Sequence, residues 1–159
     1  MTIEERFEKA QRKAVKALWA LDFVVGTPKK IRGLDGWVFE QVVRRSLEKE
    51  FRSAGIKADF SEQVSLGGRA KVDLVAGNAA IEIKISGFYD DVEKKYQEYR
   101  KRIEKMGLTY FYVTLYEEYL PNLAIAGKIY GKERVFVLSE GGAWGRFVKA
   151  VCQTQKKKA

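Results

Sequence analysis

The chain has 159 residues, of which 46% are hydrophobic and 32% charged, as expected for one globular domain that buries a core. Lysine and arginine outnumber aspartate and glutamate by 30 to 21, which favours an anionic partner, nucleic acid first and a membrane surface second, over a surface that is merely basic. Histidine is absent, which excludes histidine-based triads and histidine-ligated metals, so catalysis must use carboxylates, lysine, tyrosine or a metal bound through oxygen.

Apolar residues at helical spacing predict two helices at the start of the chain. The first covers residues 3–21, and its acidic beginning lacks the apolar core of a signal peptide. Residues 26–33, GTPKKIRG, break the pattern. The second helix is predicted from about Asp35, as N-cap, to about Phe51. Its buried stripe would consist of Phe39, Val42, Val43, Leu47 and Phe51.

Strands and helices follow along the rest of the chain. Predicted strands cover 58–66, 69–76, 79–86, 108–116 and 134–138, and predicted helices cover 89–106, 122–131 and 142–153. Residues 153–159 are predicted to be a disordered basic tail. We find neither a repeat nor a second domain boundary, so the whole of 1–159 is predicted to be one domain.

Cys152 in the last helix is the only cysteine. An internal disulfide is therefore impossible, which predicts a reducing, cytoplasmic environment. No apolar run approaches the roughly 18 residues that a membrane span needs, so no membrane partner is predicted.

Two carboxylates interrupt the apolar pattern of the second and third strands. If Gly77 and Asn78 form a two-residue turn, Asp73 faces Glu82 directly. Directly opposed carboxylates about 5 Å apart repel by roughly 3 kcal/mol at an effective dielectric near 20. A divalent cation would remove that repulsion, and carboxylate oxygens are the ligands that Mg²⁺ prefers. The alternative is an exposed strand face that carries ordinary charges.

The same register assigns the neighbouring side chains to the two faces of the hairpin. Lys84 would lie opposite Lys71, on the face of the two acids. The opposite, buried face would hold Val72, Leu74, Ile81, Ile83 and Ile85.

A third acid, Glu40, lies inside the apolar stripe of the second helix. A glutamate on a core-facing side is rarely left unpaired, because burying a lone charge is costly. Glu40 would therefore point at the same cation, or alternatively pair with an arginine.

These residues in this order resemble the PD-(D/E)XK nuclease superfamily, which has the restriction-endonuclease-like fold. The matching features are Glu40 on a helix, Asp73 on the second strand and the sequence Glu82-Ile83-Lys84 on the third. The resemblance covers residues 35–115 and implies an α-β-β-β-α-β core, an α/β fold with a mixed central sheet flanked by helices. The N-terminal helix and linker (1–30) and the C-terminal strand and helix are additions to that core.

Further details of the sequence bear on the branch of the superfamily. The segment GWVFEQVVRRSLEK resembles the first core helix of Holliday-junction resolvases and restriction-type enzymes. Val72 stands where the superfamily's name has proline. Gln97 is followed four residues later by Lys101 rather than by tyrosine, so the RecB-like branch is not indicated.

The resemblance implies hydrolysis of DNA phosphodiester bonds with Mg²⁺, for which Mn²⁺ would substitute. Asp73, Glu82 and the backbone carbonyl of Ile83 would bind the ion. Lys84 would orient the attacking water or stabilise developing negative charge. Glu40 would be an outer ligand, or the acceptor that holds Lys84 or a water.

Gln63 on the first strand is a further candidate for the catalytic face. A strict turn at Gly67 and Gly68 would instead pair Glu62 with Asp73. We give the apolar pattern more weight, because Phe60, Val64 and Leu66 must face the core. An exposed strand amide is the alternative for Gln63.

The densest basic segment near these residues is KKYQEYRKR, 94–102, which predicts phosphate contacts by Lys94, Lys95, Arg100 and Lys101, or else a solvated helix face.

Cutting both strands with one site per chain implies a homodimer, with the first helix as a contact. Two other functions stay open: a DNA-binding module without turnover, and a structural subunit of a DNA-processing complex. An exposed apolar stripe on the first helix would favour the structural subunit.

Overall fold

The computed structural model describes residues 1–20, 33–86, 92–116 and 120–156. The helices in these residues are α1 (Ile3–Ala20), α2 (Leu34–Ser53), α3 (Glu93–Lys105), α4 (Leu120–Tyr130) and α5 (Ala143–Lys156), with a short 3₁₀ turn at Lys132–Arg134. The strands are β1 (Phe60–Gly67), β2 (Ala70–Ala76), β3 (Ala79–Lys84), β4 (Thr109–Thr114) and β5 (Val135–Val137). None of the described helices is long and apolar enough to cross a membrane.

All five strands form one mixed sheet in the order β1-β2-β3-β4-β5. The pairs β1–β2 and β2–β3 are antiparallel, whereas β3–β4 and β4–β5 are parallel. Parallel neighbours need a crossover connection, and α3 lies between β3 and β4 in the chain. The prediction of an α/β fold with a mixed sheet flanked by helices is confirmed.

Helices cover both faces of the sheet. The core on one face includes Val43 of α2, Phe147 of α5 and Ile81 of β3. The core on the other face includes Ile103 of α3 and Ile129 of α4. Four residues of the predicted α2 stripe are fully buried: Phe39, Val43, Leu47 and Phe51. The fifth, Val42, is partly buried and packs against the same core.

The apolar side of α1 packs within the chain, chiefly on α2. Phe7 meets Phe39 edge to face with ring centroids 5.7 Å apart, and Ile3 is also buried. Arg6 donates to the Ser46 hydroxyl at 3.0 Å, on the partly exposed side of this contact. The described stripe of α1 is therefore occupied, which removes the feature that would have favoured a structural subunit.

The inward face of β2 changes in the middle of the strand. Leu74 packs in the core below α2, but Val72, two residues earlier, packs against α3 and α4. Residues two apart on a regular strand share a face, so the alternation breaks at Asp73. The prediction that Val72 shares the buried face of Leu74 and Ile81 is wrong for this reason.

Predicted element boundaries also differ from the structure at several positions. The N-cap of α2 is Gly33, with φ 77°, so the prediction of Asp35 as N-cap is wrong. Asp35 lies in the first turn of α2, where its carboxylate accepts a hydrogen bond from Gln11 of α1. Strand β3 ends at Lys84, and α5 continues to Lys156, so part of the predicted tail is helical. The predicted linker from residue 21, the predicted helix start at 89 and the last residues of the tail lie outside the described residues.

The C-terminal end of α5 holds the turn between β2 and β3. The Gln155 carboxamide accepts from the Asn78 backbone N–H at 3.1 Å and donates to the Ala76 carbonyl at 3.1 Å. Gly77 lies so close that an added Cβ would collide with this carboxamide, and its φ of 56° also favours glycine. Gln155 thus fixes the hairpin that carries Asp73 and Glu82.

We expect Gln155→Ala to lower the free energy of unfolding by about 1–3 kcal/mol, because it removes two hydrogen bonds to a partly buried turn. Gln153→Ala, an exposed change on the same helix, should alter it by less than about 0.5 kcal/mol. Urea unfolding of both variants checks this. Equal stabilities of the two variants would show that Gln155 does not stabilise the turn.

Candidate active site

Strands β2 and β3 separate just before the two predicted acids. Their paired segment ends with Leu74 opposite Ile81, so Asp73 and Glu82 occupy the next position on each strand. There, Asp73 Oδ2 accepts from the Ile83 backbone N–H at 2.8 Å, in place of a neighbouring strand. The predicted turn and register are confirmed up to this point. The predicted opposition of Lys84 and Lys71 is wrong, because the strands are no longer paired there.

The Lys84 ammonium lies between the two carboxylates. Its Nζ is 3.0 Å from Glu82 Oε1 and 3.9 Å from Asp73 Oδ2. Burial alone would lower the pKa of Lys84, but the two carboxylates raise it above its usual value, so Lys84 stays charged. The single Lys84 ammonium therefore interacts with both carboxylates.

Glu82 is almost completely buried, on the side of the sheet covered by α3 and α4. Its Oε1 also accepts from the Tyr96 hydroxyl at 3.2 Å, and its Oε2 accepts from the Tyr110 hydroxyl at 3.2 Å. Burial and the nearby Asp73 charge raise the pKa of Glu82 to about 7, against the lowering effect of Lys84. Glu82 is thus a carboxyl group that changes protonation near neutral pH.

Glu40 and Gln63 complete the cluster from α2 and β1. Gln63 Nε2 is 3.5 Å from Glu40 Oε2 and 3.4 Å from Asp73 Oδ1, two long hydrogen bonds. Burial and the Asp73 charge raise the pKa of Glu40 to about 7. Among the residues that the structure describes, Glu40 pairs with no arginine, so this alternative is not supported.

Gln63 has an unusual backbone conformation for a strand residue. Its φ is 49°, and within the described part of the chain no other residue except glycine has a positive φ. The register places it opposite Asp73, between the pairs Glu62–Leu74 and Val64–Val72, so the choice of Gln63 over Glu62 is correct. The prediction that Phe60 and Val64 face the core together was only partly correct, since they pack on different faces of the sheet. Strain of this kind often marks a functional position.

We expect Gln63→Gly to leave the free energy of unfolding unchanged or raise it by up to about 1 kcal/mol, since relief of a left-handed conformation offsets the entropy cost of glycine. If the cluster cleaves DNA, as the resemblance implies, cleavage by this variant should fall by about tenfold or more, because the amide that contacts two acids is lost.

The control for this prediction is Ser61→Gly, also on β1, which should lose about 0.5–1 kcal/mol because it has no strain to relieve. Thermal unfolding and cleavage are measured for both. A Gln63→Gly variant that is clearly less stable yet fully active would show that Gln63 serves the fold alone.

The oxygen atoms of the cluster suit a hard cation. Asp73 and Glu82 supply carboxylates, and the Ile83 carbonyl points toward β2, since N–H and C=O of one strand residue face the same side. No group of three or more acidic, cysteine or histidine side chains in the described ranges has the spacing of a complete metal site. Mg²⁺ commonly takes only one or two carboxylates and completes its shell with water and phosphate, so the residues fit this ion.

The predicted phosphate-binding residues on α3 differ in their surroundings. Lys94 and Lys95 are exposed, and Lys95 Nζ lies 5.6 Å from the ring centroid of Tyr96. Lys101 is exposed and 3.6 Å from Glu98. Arg100 instead binds Glu104 at 2.8 Å and the Ile129 carbonyl at 2.9 Å, which holds α3 against α4.

Sequence reasoning missed the partners of Glu82. Tyr96 lies in the predicted helix 89–106 and Tyr110 in the predicted strand 108–116, but neither was predicted as a site residue. The available signal was the abundance of tyrosine: the whole chain has eight, and most of them follow residue 92. In the parallel register Tyr112 lies opposite Glu82 and Tyr110 opposite Ala80, so alternation along β3 and β4 indicates that both tyrosines share the face of Glu82 only once that register is known.

Comparisons with protein-family models, with curated proteins and with solved structures each found no match for this chain.

Proposed function

We propose that this chain is a Mg²⁺-dependent DNA endonuclease with a restriction-endonuclease-like core. The observation that carries the proposal is the meeting of Asp73, Glu82 and Lys84 where β2 and β3 separate. Glu40 and Gln63 reach the same point from α2 and β1. The order of elements from α2 to β4, α-β-β-β-α-β, supports the core assignment.

The two carboxylates and the Ile83 carbonyl would hold Mg²⁺, or Mn²⁺ in its place. The bound ion would polarise the scissile phosphate and lower the pKa of a water. Lys84 keeps its proton, so it acts as a donor that stabilises negative charge on phosphate or orients the water. Glu40, with a pKa near 7, is suited to accept a proton from that water through a hydrogen bond.

The anionic substrate follows from the charge of the chain. The excess of nine positive charges favours binding to DNA phosphates, and Lys94, Lys95 and Lys101 present ammonium groups on α3. Cleavage of both strands would require two copies of the site, so the proposal includes a homodimer. Its contact would use a surface other than the buried stripe of α1.

A DNA-binding module without turnover is the second candidate. One observation favours it: Lys84 and two tyrosines already satisfy the Glu82 carboxylate without a metal ion. A binding module gains nothing from three acids that repel DNA phosphates, however, and this argues for the nuclease.

Incubation with plasmid, linear duplex, single strand and a four-way junction tests the choice. The nuclease predicts cutting of at least one substrate with Mg²⁺ or Mn²⁺ and none in EDTA. Binding of DNA without cutting under every condition would favour the second candidate, and absence of both would reject the two together.

A further inference from the structure

A pair of tyrosines encloses the Glu82 carboxylate from two different elements. Tyr96 of α3 donates to Oε1 and Tyr110 of β4 donates to Oε2, each at 3.2 Å. We infer that Tyr96 and Tyr110 are positioning residues that hold Glu82 for a divalent cation. This inference rests on the proposed metal site and names residues that act through Glu82 rather than on the substrate.

Counting donors shows how completely the tyrosines fix the carboxylate. An ionised carboxylate offers about four lone-pair positions, two on each oxygen. Tyr96 and Lys84 use both positions on Oε1, and Tyr110 uses one on Oε2. The position that remains is on the oxygen bound by Tyr110, so the two hydroxyls, together with the Lys84 ammonium, determine which part of Glu82 can receive a further ligand.

The tyrosines are themselves held by packing. The Tyr130 hydroxyl donates to the Tyr110 hydroxyl at 3.4 Å, and the two ring centroids are 4.4 Å apart. The Tyr112 and Tyr130 rings stack at 5.3 Å, and Tyr96 lies 6.4 Å from Tyr130. Side chains from α3, β4 and α4 therefore keep both donors in place, and hydrogen bonds joined in a chain polarise one another.

Fold stability alone does not account for this arrangement. Glu82 is 3% exposed, and a buried ionic cluster can often be replaced by apolar residues of similar volume with no loss of stability. An apolar residue at position 82 would let the tyrosine rings and Ile103 form a continuous core on this face. A carboxylate that is buried, supplied with three donors and placed next to Asp73 is instead arranged for a ligand that needs it.

The decisive change is Tyr96→Phe, which removes one hydroxyl and keeps the ring. The Mg²⁺ concentration for half-maximal cleavage should rise by about 10- to 100-fold, the usual loss when a group that orients a metal ligand is removed. The rate at saturating Mg²⁺ should change by less than about threefold, because reacting groups are untouched. A readout independent of activity is the Mg²⁺ or Mn²⁺ concentration that gives half of the rise in melting temperature, which should increase in parallel.

Tyr99→Phe is the matched control. Tyr99 lies one turn further along α3 with its ring 5.4 Å from Tyr96, and in the described part of the chain its hydroxyl makes no contact with Glu82. This variant should behave as wild type in both readouts. Tyr110→Phe removes the donor to the other oxygen of Glu82 and should have the same effect as Tyr96→Phe. If Tyr96→Phe does not fold, Tyr110→Phe takes its place in the experiment.

The possible outcomes separate this inference from the proposed function. Equal metal requirements for Tyr96→Phe and Tyr99→Phe, or a lower saturated rate with an unchanged metal requirement, would overturn the positioning role. If wild type responds to metal in melting temperature but cuts no DNA, the nuclease proposal fails, and the inference stands or falls on the melting data. A wild-type protein that responds to neither cation in either readout would overturn both.

Discussion

Replacing Lys84 by methionine should lower DNA cleavage by about two to three orders of magnitude while the Kd for DNA stays within about threefold of wild type. Methionine has nearly the same length but no charge. It removes the ammonium that lies 3.0 Å from Glu82 and 3.9 Å from Asp73. A single positive group aimed at developing charge acts mainly on the rate, since many other phosphate contacts determine DNA affinity.

Two controls accompany this variant. Lys71→Met removes the same charge from an exposed position on β2, two residues from Asp73, and should cut at the wild-type rate. Loss of Lys84 also leaves buried acids without a cation, so the melting temperature in EDTA should fall, and Mg²⁺ should restore part of it. Near wild-type cutting by folded Lys84→Met would show that the Glu82-Ile83-Lys84 assignment is wrong.

Local periodicity was enough to predict the parts of the candidate site that lie on neighbouring elements. The Gly77–Asn78 turn fixes the register of β2 and β3, and this register alone brings Asp73 next to Glu82. Helical spacing put Glu40 on the side of α2 that faces the sheet. Apolar alternation selected Gln63 rather than Glu62, even though the strand later changes face.

The remaining features depend on contacts between distant segments. Tyr110 reaches Glu82 because β4 pairs in parallel with β3 across an intervening helix, and sequence periodicity carries no register for such a pairing. The break in alternation at Asp73 coincides with the positive φ of Gln63 on the adjacent strand. Glutamine gives no signal for a left-handed conformation, whereas glycine or asparagine would have done so.

The face change at Asp73 has a direct consequence for the chemistry. Its Oδ1 meets Gln63, which also contacts Glu40 of α2, and its Oδ2 meets the backbone of Ile83 and Lys84 on β3. Asp73 is therefore the one acid that joins the α2 side of the cluster to the tyrosine side. Its charge also raises the pKa values of both Glu40 and Glu82, after the larger effect of burial.

These shifts predict how the stability of the metal-free protein depends on pH. The folded-state pKa values of Glu40 and Glu82 are about 7, above the value of about 4.3 for an unfolded glutamate. An acid with a raised folded-state pKa adds stability that is complete below the unfolded pKa and is lost as the pH rises through the folded one. Wild type in EDTA should therefore lose stability between about pH 5 and 8 from these two groups.

Asp73→Asn should reduce that loss and abolish cleavage. Asparagine removes two repulsions, from Glu40 and Glu82, at the cost of one attraction to Lys84 at 3.9 Å, so at pH 8 in EDTA the variant should be at least as stable as wild type. Mg²⁺ at ten times its Kd should stabilise wild type by about 1.4 kcal/mol and the variant by much less. Cleavage should fall by at least about two orders of magnitude, because a ligand of the catalytic ion is lost.

Melting temperatures of both proteins are measured from pH 5 to 8, in EDTA and in Mg²⁺, with cleavage assayed in parallel. Asp59→Asn removes one carboxylate from an exposed position outside the cluster, and it should leave the pH dependence, the Mg²⁺ response and the cutting rate unchanged. If Asp73→Asn and wild type lose stability equally from pH 5 to 8, Asp73 does not set the pKa values of the two glutamates. If the variant still cuts DNA, Asp73 is not a ligand of the catalytic ion, because an amide cannot supply the charge on which that role depends.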